Sequence, residues 1–395
     1  MDSPKNKAVA YWTCIAYSSI LMMSTNVASA VYPVYKSMSI LNQFQITLVF
    51  AAYIFGLLPS LMISSWMRSG KGLRQTLLIA LLAALLGVVI MGIGASFSFL
   101  IAGRLLQGIS VGLSAGNLGA ALVEYEPDGN HHRAALATGL SMTLGGGSAP
   151  MLGACFAQYT SHQLIAPYAF IFVLLLLLVP FVLMLPFSKE KQLKITFPKI
   201  PESVRPQFRS SAFAAFLTWT IPAMFLSVIP VVIANYLPSG NLLFPAAAAG
   251  LVLIVSGLSQ AAMLRVSPKV NISIGSASLI VAAGLLIFAE HIGSPTLVMA
   301  SAFVGGFGHG TTFLGATRSL NAVISGISQR PEVLLSYNFA IYLGVGLPVL
   351  CVGVLSSILT TSTAVSAFGG FVMLLSALLF LGNNRRLKPE SATVF

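Results

Sequence analysis

The chain is 395 residues long, 56% hydrophobic and only 8% charged, with a formal net charge of +12. Soluble domains carry about a quarter of their residues as charges, so this composition excludes an ordinary soluble globule and implies a polytopic membrane protein. The basic excess would point to nucleic acid in a soluble chain; here it has to be set first against the loops between membrane segments.

Apolar runs of spanning length cover 9–31, 44–66, 76–95, 99–122, 135–157, 164–187, 211–236, 244–264, 271–290, 296–317, 334–358 and 362–382, which predicts twelve transmembrane helices. The first run follows Lys5 and Lys7 and ends near Ala28-Ser29-Ala30, the layout of a secretion signal. Its length and the spans behind it favour an uncleaved helix. Ser18, Thr25, Ser29 and Tyr32 share one face of it, with Asn26 beside them. With the N-terminus in the cytoplasm, 19 of the 21 basic residues fall on the inner side, leaving Lys36 outside and Arg104 inside a span. That bias places both termini in the cytoplasm of a plasma membrane, the inner membrane of a bacterium, and accounts for the charge without nucleic acid. Cys14, Cys155 and Cys351 lie in apolar runs with no disulfide or zinc spacing and read as core residues.

The fourth span holds the anomaly. Arg104 lies five residues into a membrane-length helix, where a charge costs about 2.5 to 3.5 kcal/mol and marks a pathway or a paired interior site. Gln107, Ser110, Ser114 and Asn117 continue a polar stripe from it, while Gly108, Gly112 and Gly116 form an adjacent groove for a second helix. An arginine that snorkels to the headgroups is the alternative, although Gln107 and Asn117 carry the polarity deeper than snorkelling explains. In the fifth span, small residues from Gly145 to Ser148 precede Ala149 and Pro150, with Gly153 beyond. Pro150 removes a helix hydrogen bond where small neighbours allow close packing. Residues 188–210 carry six basic side chains and Pro198, Pro201 and Pro206, and read as a basic cytoplasmic tether able to touch anionic lipid heads.

The spans on either side of this tether look alike. Pro33 and Pro230 lie 197 residues apart, and Gly108/Gly306, Gly112/Gly310, Gly146/Gly344 and Pro150/Pro348 each lie 198 apart. The agreement predicts two parallel six-helix bundles, residues 1–187 and 211–395, with a short cytoplasmic tail.

At this point the sequence resembles the major facilitator superfamily, and in particular its drug/proton-antiporter branch. Arg104, Gln107 and Gly108 match the family's R-x-x-Q-G motif in the fourth helix. Gly145, Gly146, Ala149, Pro150 and Gly153 are similar to the antiporter motif centred on G-P-x-x-G, with Ala149 where glycine is usual. After the second span, Arg68, Gly70, Lys71 and Arg74 keep the basic turn of the D-R-x-G-R-K loop, but Met67 stands in place of the aspartate; Glu124 or Glu126 are candidates to replace that acid, although acidic residues at a helix end in water are more often solvated surface. The resemblance implies a secondary transporter working by alternating access, without a cofactor or metal, as a monomer in the bilayer.

The nine acidic residues leave no carboxylate clearly at mid-membrane. Proton coupling then falls to His309, between two glycines of the tenth span, with Arg104 sensing it; the competing reading is a neutral histidine bonded across helices. Candidate cavity residues are Asn26, Ser29, Tyr32, Arg104, Gln107, Ser114, Trp219, Asn338 and Tyr342. An arginine in a cavity without acid suits an anionic or zwitterionic solute better than a cation. The expectation is a proton-coupled exporter of a small organic solute; an importer or an uncoupled facilitator is the alternative. Five scattered histidines and no clustered nucleophile, base or metal ligands argue against an enzyme, and no Walker-type loop is present for ATP.

Overall fold

The computed structural model describes residues 4–186, 195–237 and 240–385, which are helical with no strand. The helices run α1 (Pro4–Asn26), α2 (Tyr32–Ser37), α3 (Gln43–Lys71), α4 (Leu73–Ile93), α5 (Phe97–Glu124), α6 (His131–Tyr159), α7 (Ala166–Leu183), α8 (Arg205–Ser227), α9 (Ile229–Tyr236), α10 (Leu243–Ala262), α11 (Pro268–Ile292), α12 (Pro295–Ile324), α13 (Arg330–Ile358) and α14 (Thr361–Arg385). Among the described residues, eleven segments are long and apolar enough to cross a membrane. The fifth expected span, α6, is one unbroken helix of 29 residues. Its glycines, serines and threonines make it less apolar than the other eleven, and its glycines pack closely on α1 and α10.

Expected spans one and seven are each split in two. A short 3-10 turn, Val27–Ala30, separates α1 from α2, and Val228 separates α8 from α9. Both second pieces carry proline as their second residue, Pro33 and Pro230, where a missing N–H costs nothing. The seventh span also starts earlier than its apolar run. Pro206 begins α8 as a first-turn proline instead of interrupting a tether, so the helix runs from Arg205. The break between spans nine and ten, the least distinct in sequence, is made by Gly293 at φ 65°, followed by the Ser294 cap and Pro295.

Neighbour relations repeat along the chain. Helix α3 packs on α5, α4 on α5 and α7, and α1 on α6; later, α10 packs on α12, α11 on α12 and α14, and α8 on α13. The close approaches repeat as well. Gly108 and Gly112 leave room for the carbonyls of Tyr53 and Leu57 on α3, and Gly306 and Gly310 do the same for Val252 and Ser256 on α10. Gly145 faces the Ser19 carbonyl and Gly344 the Phe216 carbonyl, so by contact Gly344 matches Gly145, one residue before the sequence pairing with Gly146. Two seams join the sets, α6 on α10 and α3 on α13, with a smaller contact between α2 and α9 at one end.

The outer surface is apolar, as lipid requires: Phe55, Ile93, Leu177 and Phe303 are more than half exposed. Cys155 and Cys351 belong to that surface and are exposed, a correction to their reading as core; only Cys14 is buried. Of the tether, Thr196 donates its backbone N–H to Met62 O and its hydroxyl meets Ser65, which fixes that segment against the end of α3. Residues 188–194, with three of the expected basic side chains, lie outside the described residues, as does the tail beyond Arg385.

Candidate substrate cavity

Both seams close around a central cavity of about 80 Å³. Organic-ligand sites run to about 300–1,000 Å³, so the space holds a few waters and no solute. Met22, Thr25 and Asn26 line it from α1, Phe50 and Tyr53 from α3, and Arg104 and Val111 from α5. Met142 and Thr143 come from α6, Trp219, Pro222, Ala223 and Leu226 from α8, Leu253 from α10, and Tyr342 and Val345 from α13. Its wall is mostly aromatic, aliphatic and thioether, with Arg104 as its one charge.

Arg104 is held by backbone. Its Nε donates to Val49 O at 3.2 Å and its Nη2 to Phe50 O at 3.0 Å, both on α3. Nη1 donates to Thr25 O at 2.6 Å, at the end of α1, and to Gln107 Oε1 at 3.1 Å. Gln107 in turn donates from Nε2 to Ser24 O at 2.7 Å. The end of α1, just before its break, is thus pinned to α5, and the carbonyls that a broken helix leaves free find donors. The guanidinium lies over the rings of Phe50 (5.4 Å) and Tyr53 (5.1 Å). At 1% exposure it does not snorkel. Four of its five N–H groups are engaged, which leaves one for a ligand.

Of the nine sequence candidates, Asn26, Arg104, Trp219 and Tyr342 line the cavity, and Ser29, Tyr32, Gln107, Ser114 and Asn338 do not. Ser29 and Tyr32 are buried around the turn between α1 and α2. Ser114 meets the Tyr17 hydroxyl at 3.3 Å, and Asn338 donates to Leu334 O on its own helix. Beyond Arg104, which lines the cavity, the polar stripe of α5 therefore lies outside the cavity lining, with Gln107, Ser114 and Asn117 bonded to partners in the helices. Phe50, Tyr53 and Leu253 have no signal in the sequence: an aromatic or aliphatic residue in an apolar run looks the same whether it meets lipid or solute. Tyr53 and Tyr342 meet edge to face across the α3–α13 seam, centroids 6.4 Å apart.

The glycine run of α6 serves the opposite seam. Gly145 faces α1, Gly147 faces Gly250 O on α10 at 2.8 Å from an added Cβ, and Gly146 lies between Asn26 Nδ2 and Leu253. Gly153 packs on Val27 and Ala30, while Ala149 and Pro150 are buried. Three adjacent glycines thus let one helix touch both halves of the molecule.

Behind Trp219 lies His309, fully buried and outside the cavity lining. Its Nδ1 is 2.6 Å from Ser256 Oγ, which also accepts from Gln260 Nε2 at 3.2 Å. The serine hydroxyl, with one proton and two lone pairs, can serve either tautomer of the ring, and Nε2 has no partner among the described residues. The ring stacks on Phe313 (5.9 Å, 11°) and meets Trp219 edge to face at 5.1 Å.

At the end of the bundle where α3 and α5 finish, Arg68 Nη2 donates to Glu124 Oε2 at 3.1 Å, which supplies an acid for the loop where Met67 has none. Glu126, with its side chain fully buried, accepts from the backbone N–H of Asp128 and Asn130 and pairs with Arg133 at 3.5 Å. Gly70 and Lys71 are exposed and Arg74 is half-buried.

The family model described as Major Facilitator Superfamily matches residues 13–318. The chain belongs to the major facilitator superfamily. It is therefore a multi-pass membrane protein and a secondary transporter. Among solved structures it is similar to a POT family transporter in complex with 5-aminolevulinic acid, with TM-score 0.75, 11% identity and 98% of each chain covered. It is also similar to a bacterial homologue of the human lysosomal transporter Spinster in an inward-facing and unoccupied conformation, with TM-score 0.72, 16% identity, 99% of this chain and 100% of that one. At these identities the likeness is one of fold. No curated protein matches the chain.

Proposed function

We propose that this superfamily member exports a small amphipathic organic solute in exchange for protons. In this reading residues 1–187 and 211–395 rock as two six-helix bundles about 188–210. The closed cavity carries the reading. Side chains from both bundles meet around one charged group in a space too small for a solute, so loading requires the α3–α13 or α6–α10 seam to part. Aromatic and methionine side chains receive the apolar part of the solute. Arg104, with no carboxylate among the lining residues, favours an anionic or zwitterionic solute. With one N–H left, it acts through its field and a single hydrogen bond.

His309 is the proposed proton-bearing group, since Arg104 keeps its proton throughout. Trp219, between His309 and the cavity, relays solute occupancy to it. The end bearing Arg68 and Glu124, with both termini, faces the cytoplasm, and the α2–α9 end faces outside. The protein works as a monomer in the plasma membrane.

A pH jump on purified protein in liposomes, with internal pH and internal solute followed together, tests this. Solute-dependent proton movement opposite to the solute, abolished in His309→Gln, is the expected result. Movement in the same direction would make the protein an importer, and solute flux without proton movement would make it a facilitator.

A further inference from the structure

The α2–α9 end of the bundle carries very little charge, and Lys36 is its one lysine or arginine. Lys36 is half-buried on α2 and opens on a groove of about 460 Å³ over the join between the two halves. Ser37, Gln158 and Gln163 line the groove from the first half, and Asn235, Asn241 and Leu242 from the second.

Two of the four amides that line it have their oxygens occupied. Gln158 Oε1 accepts from the Leu242 backbone N–H at 2.8 Å. Asn241 Oδ1 accepts from the N–H groups of Leu243 (2.8 Å) and Phe244 (3.2 Å), capping the first turn of α10. Gln43 Oε1, beside the groove, accepts from Lys36 Nζ at 3.2 Å, and its own Nε2 is buried without a partner among the described residues. These assignments follow from the donors: a backbone N–H or an ammonium can only meet the oxygen of an amide, which turns each amide's NH₂ the other way. A lysine with no acidic partner among the described residues, two lining amides, Gln158 and Asn241, whose oxygens are taken, and two more, Gln163 and Asn235, whose amides can turn their NH₂ to the groove, make a lining that can present N–H groups to an anion.

We propose that this groove binds an anion of the carboxylate or phosphate class. It is distinct from the central cavity and goes beyond the transport reading, because binding there requires no turnover. Since Lys36 and Gln158 belong to one half and Asn235 and Asn241 to the other, a bound anion bridges both halves and favours the state in which this end is closed. Two sources carry that chemistry: a carboxylate-bearing solute in the aqueous phase, or the phosphate of a lipid headgroup reaching over the rim.

The test uses the full chain in nanodiscs of phosphatidylcholine alone, with melting temperature followed against sodium succinate and against inorganic phosphate at constant ionic strength. A ligand that binds only the folded state raises the melting temperature in a saturable way. Saturable stabilisation by either anion is expected in wild type, with apparent affinity about tenfold weaker in Lys36→Gln, as loss of a charge-assisted hydrogen bond implies, and largely restored in Lys36→Arg. Asn235→Asp, which puts a negative charge in the groove, should weaken it too and serves if Lys36→Gln fails to fold. Succinate acting more strongly than phosphate assigns the site to a soluble carboxylate. Stabilisation by phosphatidylglycerol in the disc, dependent on Lys36 and replacing the effect of the soluble anions, assigns it to a lipid headgroup. No stabilisation by any of the three, or one unchanged in both Lys36→Gln and Asn235→Asp, overturns the proposal.

Discussion

The two halves solve the same structural problems with opposite chemistry. In the first half the central helix α5 is tied to α1 and α3 by a charge, Arg104, which donates to three backbone carbonyls. At the matching place in the second half, 198 residues on, α12 carries Ala302, with Ser301 donating to Ala282 O at 2.8 Å. The loop after the second helix of each half is also pinned differently. Arg68 meets Glu124 in the first half, whereas in the second Arg318 donates to the carbonyls of Leu264 and Val266, with no acid involved. Matching helix contacts can thus be held by different fastenings. The half that holds its central helix by a buried charge is also the half that gives the cavity its charge.

This difference is broken most directly at Arg104. Replacement by alanine leaves the Thr25 carbonyl at the end of α1 and Gln107 Oε1 without their donor, and takes from the Val49 and Phe50 carbonyls the bond they accept besides their own helix bond. Each orphaned buried acceptor costs about 1–3 kcal/mol, so Arg104→Ala should lose at least about 2 kcal/mol and lower melting temperature and expression together. Arg104→Lys should recover a part, because one ammonium cannot reach acceptors on two helices in the geometry of the planar fork. The matching change in the second half, Ala302→Ser, should cost less than about 1 kcal/mol, since the hydroxyl can bond back to its own helix. Thermal melts of the three purified variants check this. Normal stability with lost solute binding in Arg104→Ala would show a ligand-binding arginine and not a fastening one.

The next effect is expected where the halves agree. Gly145 and Gly344 each face a backbone carbonyl of the broken helix beside them, so a methyl group at either place pushes on backbone. Gly145→Ala and Gly344→Ala should each cost about 1–3 kcal/mol by overpacking. Gly146→Ala should cost less, because its neighbours are the ends of the Asn26 and Leu253 side chains, and these can turn aside. Gly146→Leu, too large for such adjustment, should slow solute exchange at equal expression. Equal melting temperatures for Gly145→Ala and Gly146→Ala would remove the distinction between the two positions.

Much of this architecture was legible because the bilayer imposes it. Span lengths, the repeat offset and the glycine grooves follow from hydrocarbon thickness and close helix approach, and these leave periodic marks in the sequence. The break in spans one and seven was marked only by Pro33 and Pro230, which the apolar runs pass over without interruption. The cavity was less legible, for a physical reason. Polar residues on a membrane helix announce themselves, but in Gln107, Ser114 and Asn338 they satisfy backbone or each other. The surfaces that meet in the cavity belong to Phe50, Tyr53 and Leu253, whose side chains resemble those facing lipid. Arg104 was found by its charge, and its main partners, backbone carbonyls, have no sequence signature.

The smallest effect tests the loop fastenings. Arg318 is bonded through Nη1 to two carbonyls, at 2.8 and 2.7 Å, so Arg318→Met should cost about 1.5–3 kcal/mol, the range for hydrogen bonds to a charged group. Glu124→Gln removes only a pair in which the glutamate side chain is 49% exposed and the arginine 12%. Exposed pairs contribute about 0–1 kcal/mol, and the glutamine can still accept one bond from Arg68. Its melting temperature should therefore fall by less than that of Arg318→Met, and the difference from wild type should shrink further at high salt, where an exposed pair is screened. The Arg318→Met loss should change little with salt, since carbonyl acceptors carry no net charge. If Glu124→Gln proves the more damaging change in stability and insensitive to salt, the Arg68–Glu124 pair is a buried fastening like Arg104, and the contrast drawn between the two loops fails. If it leaves stability intact but slows solute exchange, the pair works instead as a latch that must break and re-form during transport, and the second half, with neutral acceptors at the matching place, has no equivalent of it.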